Sequence, residues 1–102
     1  MQSIIIKQLI NDFFEQIEEK ADKRNKNAKA TYWVEELQEV DYNDKNYLSI
    51  KKATRLYEKY VENKHNISVR EPNKFLCDFM AVYAGYKNFE GYSLNKKIIP
   101  KK

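Results

Sequence analysis

The feature that most constrains this chain is a stripe. Apolar residues recur at Ile6, Leu9, Ile10, Phe13, Phe14, Ile17 and Ala21, in steps of three and four. A helix with 3.6 residues per turn puts such a series on one face, whereas a strand, with its period of two, would scatter it over both. Glu15, Glu18, Glu19 and Asp22 take the other side. The spacing predicts a first helix from a cap at Ser3 to about Arg24. At 1.5 Å per residue it would be about 30 Å long, enough to brace a whole domain. Ile4 and Ile5 fall partly off the stripe.

The rest of the chain repeats the pattern in shorter pieces. Residues 22–29 are polar and read as a loop. A second helix follows from about Ala30 to Val40, with Tyr32, Trp33, Leu37 and Val40 as its apolar set. Residues 41–46 cluster Asp and Asn and read as a turn. Ser49 suits the cap of a third helix, Ile50 to about Asn63, whose inner face would be Ile50, Ala53, Leu56, Tyr57, Tyr60 and Val61. A loop over 63–71 follows, with Ile67 and Val69 pinning it down. Glu71-Pro72 opens a fourth helix, since proline fits the first helical turn. Its stripe would be Phe75, Leu76, Phe79, Met80 and Tyr83. Gly85 then stops it, as glycine commonly does just past a helix end.

Residues 87–92 read as a short closing turn that tucks Phe89 and Tyr92 onto the core. Residues 93–102 read as a basic, flexible tail. The chain has two Gly and two Pro, too few for the turns that many short strands would need. The expected architecture is all-α: one domain over 1–92, a small four-helix fold with a short closing turn. Leu9, Phe13, Ile17, Trp33, Leu56, Tyr60, Phe79 and Tyr83 should lie in its core.

Composition narrows the function classes. Apolar residues are 42% of the 102 and aromatics 14%, ample for a core. The apolar run Ile4-Ile5-Ile6 is far short of the roughly 18–20 residues that span a bilayer. It also lacks the charged flank and cleavage site of a signal peptide. Cys77 is the single cysteine, so no internal disulfide can form, and a reducing, cytoplasmic compartment is expected.

Nothing in the sequence assembles a catalytic constellation. His65 is the single histidine and sits in a polar loop. Cys77 falls on the inner side of a helix with no second Cys or His placed to activate it or share a metal. Glu18-Glu19 and Glu35-Glu36 are adjacent pairs, which diverge on a helix instead of converging on a bond. No glycine-rich phosphate loop exists. The chain reads as non-enzymatic, with no cofactor, metal or small-molecule substrate.

Charge points elsewhere. Residues 1–50 carry seven Lys/Arg and ten Asp/Glu, whereas residues 51–102 carry twelve and five. An acidic partner is expected for the second half. Lys51, Arg55 and Lys59 recur every four residues, with Lys52 beside them, opposite the apolar face of the third helix. A helix that docks by one side and shows cations on the other suits phosphate. Glu58 and Glu62 are placed to pair with Arg55 and Lys59 at helical spacing. A partner-docking or self-association face is the alternative, with Ile4 and Ile5 on the first helix and Tyr42 and Tyr47 in the turn cluster as its candidates.

The basic helix ending in Tyr57-x-x-Tyr60, then a loop, then a helix closing on AVYAGYKNFEGY resembles the small helix-turn-helix-like N-terminal modules of multidomain bacterial proteins. Ala81, Tyr83, Gly85, Tyr86, Lys87, Phe89 and Tyr92 match the closing motif of that family, and Met80 stands where leucine is more usual there. Ser49, Thr54, Leu56 and Tyr60 fit its preceding helix. The match covers about residues 47–92. The resemblance implies a helix-turn-helix-like domain that binds DNA in regulation, or an adaptor coupling to a downstream effector in a bacterial signalling or defence assembly.

Overall fold

The computed structural model describes residues 2–40 and 48–98. They form five α-helices: α1 Gln2–Ala21, α2 Lys26–Val40, α3 Ile50–Tyr60, α4 Lys74–Tyr83 and α5 Phe89–Ile98. No strand occurs among the described residues. None of their helices is long and apolar enough to cross a membrane. The long first helix does brace the molecule, for α1 packs against each of the other four, while α2 pairs with α3 and α4 with α5.

Local side chains decide where the helices stop and start. α1 ends three residues earlier than its charge pattern suggested, because Asp22 turns left-handed (φ 57°) and donates its N–H to the Glu18 carbonyl at 3.1 Å. That single bond is a common helix ending. Asn25 then accepts the Ala28 N–H at 2.8 Å, so α2 begins at Lys26 rather than Ala30. Ser3 lies inside α1 instead of capping it. Ser49 does cap α3, accepting the Lys52 N–H at 3.0 Å.

Pro72 is not in the first turn of α4. The cap is Asn73, whose side chain accepts the Leu76 N–H at 2.9 Å. At the other end Gly85 has φ 101°. Its N–H reaches the Val82 carbonyl at 3.0 Å and the Tyr86 N–H reaches the Ala81 carbonyl at 2.9 Å, the paired bonds of a Schellman ending.

The four-helix count is corrected to five. The closing turn expected over 87–92 is the start of α5, which also takes in residues 93–98 of the expected tail. Asn88 caps it, accepting the Gly91 N–H at 2.8 Å, and Asp78 of α4 accepts the Phe89 N–H at 2.8 Å. Two orphan N–H groups of the first turn are thereby satisfied. Tyr92 is fully buried and donates to Asp12 of α1 at 2.6 Å, which anchors the helix beyond Gly91.

The core is aromatic at its centre. The Phe13 ring meets Phe14, Trp33, Tyr83 and Phe79 edge to face at centroid distances of 5.4, 4.9, 5.4 and 6.2 Å. Such pairs add about 0.5–1.5 kcal/mol each beyond their burial. Leu9, Phe13, Ile17, Trp33, Leu56 and Tyr60 are buried as expected. Phe79 and Tyr83 are only half-buried. α4 is turned so that Leu76, Cys77, Met80 and Ala81 face inward. Ile50, expected inside, is 42% exposed at the first position of α3.

Candidate nucleic-acid interface

The basic face of α3 is built by its amphipathic sequence. Ala53, Leu56 and Tyr60 are buried, and this fixes the rotation of the helix. Lys51 and Arg55 are then exposed, with Lys52 and Lys59 half-buried. The acids do not pair with Arg55 and Lys59 along the helix as the spacing suggested. Glu58 receives Lys26 of α2 at 2.8 Å and Glu62 receives it at 3.5 Å, with Lys64 also 3.4 Å from Glu62. The start of α2 thus draws the carboxylates to one edge. The hydrogen bond from Lys26 holds the Glu58 carboxyl below its usual value, and the same bond raises Lys26. Among the described residues no ion pair engages Lys51, Lys52, Arg55 or Lys59.

Three of the four expected cations converge. Lys51, Lys52 and Arg55 line a depression of about 410 Å³ together with Ser49, Ser68, Val69 and Arg70. Among the described residues no carboxylate lines it. The volume is far above the ~30 Å³ a water occupies in the liquid, so the depression accommodates a polyatomic anion. Lys59 is not part of the lining. Its ammonium lies 5.5 Å from the centroid of the Tyr60 ring, further along the same helix.

Arg70 and Ser68 are the residues that sequence reasoning missed. A signal for them existed: Ile67 and Val69 are half-buried while Ser68 and Arg70 are exposed. That alternation is what an extended segment produces, and it aims Arg70 outward once Val69 is pinned. The start of α3 adds to the field. Lys51 and Lys52 stand in its first turn, where the backbone N–H groups already carry partial positive charge. The first turn holds no acid to offset them. Cations there each cost about 0.3–1 kcal/mol at an exposed site, and an anion seated in the depression would reverse that repulsion.

Of the other expected partner residues, Ile4 and Ile5 are among the described ones. Ile4 is 60% exposed, while Ile5 packs partly against the core. Tyr42 and Tyr47 lie outside the described residues. His65 is exposed. Cys77 is buried, its thiol donating to the Pro72 carbonyl at 3.7 Å, and burial pushes its pKa up to about 11. A thiol held so far from its thiolate is a poor nucleophile. Among the described residues no three His, Cys, Asp or Glu side chains could hold a metal ion.

No family model, curated protein or solved structure matches this chain, and the resemblance to helix-turn-helix-like modules rests on the residues that carry it.

Proposed function

We propose that this protein is a non-enzymatic binding module that contacts duplex DNA in regulation, with α3 in the part of recognition helix. The observation that carries this reading is the depression where Lys51, Lys52, Arg55 and Arg70 meet Ser49 and Ser68, with no carboxylate lining it among the described residues. Guanidinium, ammonium and hydroxyl donors at a helix start are the groups that hold phosphate oxygens. Phosphate contact supplies affinity and register but little sequence information. Arg55 is the side chain of the set best suited to a guanine edge, by its bidentate fork.

The test is binding of unrelated duplexes across a salt series. Wild type should bind at low salt, with log affinity falling linearly against log salt. Replacing Lys51, Lys52, Arg55 and Arg70 by Ala should remove most affinity, with each lost phosphate contact lowering the slope by about 0.9. Lys51→Glu with Lys52→Glu is the sharper variant. It should raise the melting temperature slightly, because acids suit a helix start, while abolishing binding. Undiminished binding by either variant, or no binding by wild type at low salt, sinks the DNA reading.

A further inference from the structure

The inward turn of α4 leaves a second surface that shares no residue with the basic depression. Phe75, Phe79, Val82 and Tyr83 line a groove of about 310 Å³ with Asp78, against Glu36 of α2. Phe75, Phe79 and Tyr83 are half-buried and Val82 is 57% exposed. Positions 75, 79, 82 and 83 make an apolar seam along more than two helical turns, the spacing against which another helix packs. α2 and α4 touch at one end of the groove, where the Tyr32 and Tyr83 hydroxyls are 3.2 Å apart. Glu36, one turn after Tyr32, forms the opposite wall, and Glu39 follows three residues on, exposed.

The charges of the two walls differ in availability. Asp78 is already engaged, receiving Lys74 at 2.8 Å and the Phe89 N–H at 2.8 Å. Glu36 and Glu39 join no ion pair among the described residues. The groove is therefore an apolar seam with Glu36 on its α2 edge and no cation in its lining among the described residues. Lys20 of α1 is held at the Tyr83 end, donating to the Tyr83 carbonyl at 2.9 Å with its ammonium 4.9 Å from the ring centroid. The groove's volume lies at the lower limit of small-molecule sites, and an apolar helix face of this spacing is what helix-in-groove recognition uses.

We propose that this groove docks an amphipathic helix of a partner protein, apolar on the face that enters between α2 and α4 and bearing Lys or Arg along the edge that meets Glu36 and Glu39. Apolar side chains of the partner cover Phe75, Phe79 and Val82. Its cations pair with the α2 carboxylates and set the direction in which it lies. The module then holds DNA by one surface and a basic partner helix by another, and the two surfaces can be disabled separately.

The experiment is a titration of the isotope-labelled full chain with two designed helical peptides of about 15–20 residues, long enough to sustain a helix. They share an apolar stripe and differ only in flanking Lys or Glu. The Lys peptide should shift the amide signals of residues 75–83 and of Glu36, and the Glu peptide should not. Val82→Asp, at an exposed position, should leave the melting temperature near wild type and weaken the Lys peptide by about tenfold or more. Glu36→Lys should reverse the preference between the peptides. Neither variant should alter DNA affinity. Equal binding of both peptides with no effect of Glu36→Lys overturns the proposal. So do shifts confined to another face, and so do concentration-dependent shifts of residues 75–83 without peptide, which would make a second copy the occupant.

Discussion

α3 and α4 are nearly the same length, and they submit to sequence reading in opposite ways. α3 alternates strongly between apolar and charged residues, so only one rotation buries Ala53, Leu56 and Tyr60 without also burying a lysine or arginine. The cost of burying an unpaired charge is several kcal/mol, and it removes every other choice. α4, KFLCDFMAVY, is apolar on most of its circumference. Several rotations bury comparable hydrophobic area, and local preference cannot rank them. The chosen one puts Leu76, Cys77, Met80 and Ala81 inside and leaves the bulkier Phe75 and Phe79 at the edge. A contrast between faces carries information about orientation, and mere hydrophobicity does not.

The largest expected effect breaks or upholds that comparison directly. Met80 is fully buried, so Met80→Ala should cost about 2–5 kcal/mol by loss of packing and the cavity left behind. Phe79, half-buried and touching Phe13 by a ring edge, should cost about 1–2 kcal/mol when replaced by Ala, a partial share of full aromatic burial. Urea unfolding of both variants ranks them. If Phe79→Ala proves the more damaging, α4 faces the core by the stripe its sequence first suggested, and the groove beside it is closed.

A middle-sized effect concerns the two helix starts. Ser49→Ala and Asn73→Ala should each cost about 1 kcal/mol, because each removes the acceptor of one orphan N–H. Ser49→Gly should cost only a few tenths of a kcal/mol. Equal losses for the Ala and Gly variants of Ser49 would show that its hydroxyl matters for something other than the cap.

The smallest effect is electrostatic and belongs to the α2–α3 side. The Lys26–Glu58 bond lowers the Glu58 pKa and raises that of Lys26. A lowered carboxyl stabilises the fold fully above its ordinary value of 4.5, and that contribution is lost as pH falls through the lowered folded value. A raised ammonium stabilises fully below its ordinary 10.5 and loses this as pH rises through the higher folded value. The pair should therefore give a plateau between these limits with a decline at each end. Glu58→Gln should lower the plateau and flatten both declines in thermal melts across pH. Declines of unchanged steepness would mean that other groups control the pH response.

Written into the order of amino acids were the helical class, the role of α1 as a brace, the Ser49 cap, the Gly85 stop and the rotation of α3 with its cations. Each of these is local, resting on a period of 3.6, on one side chain reaching a nearby N–H, or on a backbone angle glycine adopts freely. The tertiary structure alone decided the rest. Lys26, 32 residues from Glu58, takes the carboxylates that helical spacing assigned to Arg55 and Lys59. Asp78 reaches across to the first turn of α5, and with Tyr92 anchored on Asp12 this makes a helix of a segment whose Gly91 and lysines read as a turn and a tail. Arg70 joins Lys51 and Arg55 only because Val69 is pinned against the core. Each of these depends on which distant surfaces meet, and the energy that selects among such meetings is the packing of the whole core, which no window of neighbouring residues contains.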